Sequence, residues 1–340
     1  VTRLLVWALP LFVIGCRSEP TTPEMGPVPA QLDAGAPQPK VAARRVVLVS
    51  IDGLRADMIN ALITPTLMAL RAQGTSTLNA RPDPGRIYTM PNHICMITGL
   101  PTEGAQGHGF TRNRGSEGTV HEAAGRVVQT TFDVVHRHGR RTALWVSKAK
   151  LGVLVNTVAK TTRAPDVVGV SDHDDDATLR GAMHGLRGPT PPAFALVHFA
   201  APDQAGHEAG FDPKPGSAYR AAVQQTDARL AKLVAALPAD TALIVTSDHG
   251  GHDDRHGDLD EPDDYVIPLL VVGGGAAPAT DLYVLNARVR TEPARALTWG
   301  GEPVRNCEVG NLALRLLGLP PIPGSVYGGR FDLELRPSTH

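Results

Sequence analysis

The chain has 340 residues, 33 basic and 34 acidic, for a formal charge of −1. That balance excludes the basic excess expected of a nucleic-acid binder, so no nucleic-acid polymer is expected as a partner. A hydrophobic share of 42% with 20% charged residues excludes general disorder, and three cysteines exclude a disulfide framework.

In chain order, Arg3 is followed by eleven apolar residues, Leu4 to Ile14. The run is shorter than the roughly 20 residues that span a bilayer and fits the apolar core of a secretory signal. It ends in Val13-Ile14-Gly15-Cys16, which is similar to a bacterial lipobox, whose cysteine becomes the lipidated first residue. Residues 1–16 are therefore expected to be a lipoprotein signal peptide. Residues 17–43 hold six prolines and little apolar content, the composition of a tether. Residues 44–340 are left as one folded domain. Arg17 stands where an aspartate would favour inner-membrane retention. The expected place is the bacterial cell envelope, on the periplasmic side of the outer membrane.

Val46–Ile51 is a nearly continuous apolar run, the pattern of a strand buried on both faces. Further buried strands are predicted at Thr142–Val146, Ala193–Phe199, Ala242–Thr246 and Val266–Val272. Helical spacing is predicted over Thr64–Gln73, Thr131–Arg137, Ala177–Leu186 and Ala218–Leu237. Another helix is predicted at Tyr88-Thr89-Met90-Pro91-Asn92-His93, with Thr89 as its cap and Pro91 in its first turn. Alternating strands and helices predict a three-layer α/β/α sandwich around a mostly parallel sheet. In such sheets ligands bind beyond the carboxyl ends of the strands.

Three of those strand exits carry acids and imidazoles. The first ends in Asp52-Gly53, the third in His198-Phe199-Ala200-Ala201-Pro202-Asp203 with His207 beyond, and the fourth in Ser247-Asp248-His249-Gly250 with His252 and His256 beyond. No thiolate joins them. The set suits zinc, with manganese or iron as alternatives, rather than a structural cysteine-zinc site. A hydroxyl at a helix N-terminus beside such ions, as at Thr89, can lose its proton and attack phosphorus.

These residues resemble the alkaline phosphatase superfamily, and within it the type I phosphodiesterase/nucleotide pyrophosphatase branch. Val46 to Arg55 is similar to the opening strand motif, Thr89-Met90-Pro91-Asn92-His93 to the nucleophile motif, and Thr98-Gly99-Leu100 to its sequel. Pro202-Asp203-Gln204-Ala205-Gly206-His207 and Ser247-Asp248-His249-Gly250 are similar to the metal motifs, and Leu316 to Pro320 to the closing helix and turn. The resemblance implies that Asp52, Thr89, Asp248 and His249 hold one ion. It implies that Asp203, His207 and a third histidine hold the other. In nucleotide pyrophosphatases that histidine lies far downstream; here the only histidine after His256 is His340. His256 is therefore chosen, with His252 as runner-up.

The resemblance implies a metal-dependent phosphoric ester hydrolase of phosphodiesterase type, acting through a covalent phospho-threonine on Thr89. Asn92, three residues on, is expected to donate its amide to a phosphoryl oxygen. Sulfatases need cysteine or serine at the nucleophile and arginine four residues on; here those positions are Thr89 and His93. Arg86 reads as a surface residue rather than a monoester clamp, which favours diesters. A phosphomonoesterase, a phosphonate hydrolase and a phospho-group transferase at the membrane surface remain alternatives on the same site. The expected substrate is a small phosphate ester or diester. Cys95 reads as a buried thiol, its pairing with Cys307 left open. The run Asp172-His173-Asp174-Asp175-Asp176 reads as a solvated loop and helix start, and His108 is placed near the site.

Overall fold

The computed structural model describes residues 41–115, 118–157, 163–294 and 301–337. Eight strands form one sheet: β1 (Arg45–Ile51), β2 (Thr75–Ala80), β3 (Thr142–Val146), β4 (Val167–Val170), β5 (Phe194–Phe199), β6 (Thr241–Thr246), β7 (Ile267–Val272) and β8 (Thr280–Asp281). Their spatial order is β4-β3-β5-β1-β6-β7-β2-β8. The block β4-β3-β5-β1-β6 is parallel throughout, and β7 runs antiparallel to both its neighbours. The sheet is thus mostly parallel, as expected.

The apolar runs bury both faces of the sheet. On β1, Val46 and Leu48 join one core while Val47, Val49 and Ile51 join the other, as the two-residue period of a strand requires. Helices α1 (Pro65–Gln73), α2 (Thr89–Thr98), α3 (Thr131–Arg137), α4 (Asp175–Arg187), α5 (Ala201–Ala209), α6 (Ala218–Val234) and α7 (Val309–Leu316) flank it. The first core takes residues from α2, α3 and α7, and the second from α1, α4 and α6, which makes three layers. No helix among the described residues is long and apolar enough to cross a membrane.

The structure departs from the sequence expectations in several places. β2 has no apolar run, and that of β4, Val167-Val168-Gly169-Val170, is only four residues long. β2 is largely buried, but Thr75, Ser76 and Thr77 rather than apolar side chains fill it, and edge strand β4 leaves Val168 and Val170 exposed. Ala42 and Ala43, assigned to the tether, both donate to Leu316 O, and Ala43 is buried. The fold therefore reaches into that segment; residues 17–40 of the tether and the signal peptide lie outside the described residues. Cys95 is not a free thiol: it is joined to Cys307, which ties α2 to the turn before α7.

Candidate metal centre

Thr89 is the first residue of α2, not its cap; Tyr88 holds the cap position without a side-chain bond. The Met90 N–H is instead satisfied by Asn113 Oδ1 at 3.1 Å. The threonine hydroxyl is therefore free of capping work and lies 3.3 Å from His249 Nε2. All ten residues of α2 are buried, so the helix is held firmly from every side.

Asp52 leaves β1 just before Gly53, whose φ of +69° turns the chain in a conformation that favours glycine. A β-carbon there would come within 3.0 Å of Asp203, so the glycine also allows the two aspartates to approach. No element is predicted for Asp203 and His207 after β5. They stand instead one turn apart on one face of α5, with Pro202 in its first turn. The buried Asp175 carboxylate accepts from Ala200 N and Ala201 N, which fastens the junction of β5 and α5. Asp248 and His249 leave β6, and Asp248 Oδ1 accepts from Gly53 N, tying two strand exits together.

These elements bring seven of the expected ligands into one place. Around His249 Nε2 lie Asp248 Oδ2 at 3.2 Å, Thr89 Oγ1 at 3.3 Å and Asp52 Oδ1 at 3.5 Å. Around Asp203 Oδ1 lie His207 Nε2 at 3.4 Å, His256 Nε2 at 3.8 Å and His249 Nε2 at 4.0 Å. Two sets of donor atoms, Asp203–His207–His256 and Asp52–Asp203–His249, each fall within 4.8 Å of one another. The aspartates of both sets are buried.

The donor chemistry fits divalent ions. Asp52 Oδ1, Asp203 Oδ1 and Asp248 Oδ2 are buried and have no hydrogen-bond partner. Each of the three imidazoles ties Nδ1 to a backbone carbonyl: His207 to Asp254, His249 to Gly250 and His256 to Ile87. That bond leaves the Nε2 lone pair for a metal, the usual outer-sphere device of a histidine ligand. His252 is arranged differently, with Nδ1 on Asp264 Oδ1 and Nε2 on Arg255.

Electrostatics agree with that division. Burial raises the Asp248 carboxyl, and the nearby Asp52 carboxylate raises it further, to about 6. Burial alone would raise Asp52 too, but the Lys148 ammonium, with His198 and His249, holds it well below the ordinary carboxylate range. Burial, then His249, pushes His256 down to about 3, which keeps its ring neutral.

Asn92 corrects an expectation. Its Nδ2 donates to Arg86 O and Tyr88 O while its Oδ1 accepts from Asp83 N, so the amide braces the turn before α2. It has no N–H left for a phosphoryl oxygen. Arg86 pairs with Glu103 on the surface. Several groups near the site have no role on sequence grounds, and Lys148 is not singled out by sequence at all. Lys148 lies two residues beyond β3 and bonds both Asp52 and Asp203. His198, at the end of β5, bonds Asp52 Oδ2 at 2.9 Å. His93 bridges Thr89 O and Ser50 Oγ. The strand-exit rule pointed to Lys148, but that exit held no acid or imidazole and was passed over.

The layered sheet with this cluster beyond its strand ends defines an alkaline-phosphatase-like protein. Residues 46–269, more than half of the chain, match the family described as type I phosphodiesterase / nucleotide pyrophosphatase, and the chain belongs to that family. Among solved structures, it is similar to an inactive threonine-to-alanine variant of murine ectonucleotide pyrophosphatase / phosphodiesterase 5 in complex with AMP. That likeness has a TM-score of 0.60 at 15% identity, covering 85% of this chain and 99% of that one. It is also similar to an alkaline phosphatase superfamily protein from Vibrio parahaemolyticus (TM-score 0.59, 15% identity, 86% and 72% covered). A third is the lipoteichoic acid synthase LtaP of Listeria monocytogenes (TM-score 0.58, 12% identity, 83% and 74% covered). No curated protein sequence matches the chain significantly. Family membership supports phosphoric ester hydrolysis.

Proposed function

We propose that this chain is a two-metal phosphoric ester hydrolase of phosphodiesterase type that acts through Thr89. The observation that carries the reading is the convergence of three unpartnered buried carboxylate oxygens and three Nε2 atoms beside one threonine hydroxyl. Asp52, Thr89, Asp248 and His249 would hold one ion, and Asp203, His207 and His256 the other. When bound, two such ions, zinc first, supply Lewis acidity that favours a deprotonated hydroxyl at neutral pH and neutralises a leaving oxygen.

The chain's own residues set the rest. The N-terminal end of α2 favours the negative charge that develops on Thr89 Oγ1. Thr89 attacks phosphorus, the bond to the leaving alcohol breaks, and water then cleaves the phospho-threonine. His93, bonded to Thr89 O, and Asn92, which accepts from Asp83 N, hold the first turn of α2 in place. Arg86 is spent on Glu103 at the surface, which supports diesters over monoesters. Side-by-side turnover of p-nitrophenyl phosphate, bis-p-nitrophenyl phosphate and a p-nitrophenyl nucleotide ester, with metal analysis of the same sample, tests this. The two diesters are expected to lead; a strong monoester preference would overturn the diesterase assignment.

We propose further, from the motif ending at Cys16, that the protein lies in the bacterial cell envelope, anchored by lipid on that cysteine. The Cys95–Cys307 disulfide supports an oxidising compartment and leaves Cys16 as the remaining cysteine of the three. Palmitate labelling and membrane fractionation of wild type against Cys16→Ala checks this: the variant is expected to lose both label and membrane association.

A further inference from the structure

Lys148 is 7% exposed, yet it carries a full ammonium into the cluster. Its Nζ lies 2.7 Å from Asp52 Oδ2 and also bonds Asp203 Oδ2. These aspartates come from different strand exits and belong to different proposed ion sites. The pattern of oxygens is selective. On both carboxylates the lysine takes Oδ2, and His198 takes the same atom of Asp52. On both it leaves Oδ1 buried and without a partner, facing the imidazoles. A carboxylate rotates freely about its last torsion in the absence of such ties, and two bare carboxylates this close repel each other.

We infer that Lys148 is a positioning residue of the metal centre. It clamps Asp52 and Asp203 by their Oδ2 atoms so that each offers a single Oδ1 to its ion, and it thereby links the two sites. The inference rests on the two-metal reading above and adds a residue that the motifs do not contain. A cation beside two ions also repels them, so the sign of its effect on metal binding is informative. The geometry favours orientation over repulsion, because the lysine bonds only the oxygens turned away from the imidazoles.

The test is Zn²⁺ affinity and stoichiometry by chelator competition, together with the absorption spectrum of the Co²⁺-substituted protein. Wild type is compared with Lys148→Met and Lys148→Arg. Lys148→Met is expected to weaken Zn²⁺ binding by about 10–100-fold, the usual cost of losing an outer-sphere partner. The Co²⁺ bands are expected to change, and Lys148→Arg to recover part of the affinity. A lysine with a merely structural role would lower the melting temperature and leave Zn²⁺ affinity and the Co²⁺ spectrum alone. Should Lys148→Met not fold, Lys148→Gln is read by the same criterion. Unchanged or tighter Zn²⁺ binding in the neutral variant overturns the inference while the two-metal reading stands. A wild type that binds no divalent ion overturns that reading, and this inference with it.

Discussion

Two groups of aspartates and histidines lie within a few residues of each other, and they differ in what is left unbonded. In the cluster around His252, Asp264 Oδ1 accepts from His252 and Oδ2 from Asp258 N, while Arg255 covers the far side of the ring. Every one of those polar atoms has a partner, and the cluster braces the loop that follows β6. In the centre around His249, three carboxylate oxygens have none. An unpaired buried oxygen costs about 1–3 kcal/mol, so three in one place mark a site that stability alone does not explain. Residue type is the same in both clusters; the unpaired atoms tell structure from chemistry.

The comparison breaks most severely if Thr89 is dispensable. Thr89→Ala is expected to keep its fold and, with metal supplied in excess to offset the lost ligand oxygen, still to lose diester turnover on the order of 10⁴-fold or more, as loss of a nucleophile does. Steady-state kinetics with circular dichroism checks this, and retention of a tenth of wild-type turnover would refute the nucleophile assignment. A sharper cut between the clusters comes from paired variants. His256→Gln is expected to lower Zn²⁺ affinity by at least the ~10–100-fold that an outer-sphere loss costs. His252→Gln is expected to leave Zn²⁺ affinity alone and lower stability by about 1–3 kcal/mol, because Asp264 Oδ1 loses its partner. Equal metal loss in both variants would erase the distinction.

A smaller effect concerns acid stability. Burial holds His93 and His108 down to about 3, against about 6.5 in an unfolded chain. A depressed histidine is neutral when folded, so its stabilising contribution is complete above pH 6.5. It is lost as pH falls from there toward 3, by about 1.4 kcal/mol per pH unit for each histidine. Urea unfolding at pH 7, 5.5 and 4.5 should show the decline. His108→Asn, which keeps an acceptor for Phe110 N, should make it shallower by about one proton. An unaltered slope would mean that His108 is charged or exposed.

Much of this centre was legible in the sequence because buried parallel strands print as apolar runs, and their exits follow at once. The runs at Val46, Thr142, Ala193, Ala242 and Val266 fall on observed strands to within a residue or so. Asp52, Asp203 and Asp248 then stand where ligands of such sheets stand. β4 was missed because its apolar run is only four residues long and is broken by Gly169, and α5 because Pro202 and Gly206 make a poor helical pattern. The role of Asn92 was misjudged because a spacing says which residues lie near Thr89, and hydrogen bonds decide which way an amide is spent.

Sequence by itself determined the buried central strands, the layered class and the list of acids and imidazoles, because those follow from local periodicity and from residue chemistry at strand ends. Only the tertiary structure decided that His256 rather than His252 turns toward Asp203, that Cys95 meets Cys307, and that Lys148 spans Asp52 and Asp203. Each of these joins side chains far apart along the chain or selects between near neighbours. Such choices are set by how the sheet order stacks the strand exits, which no local pattern encodes.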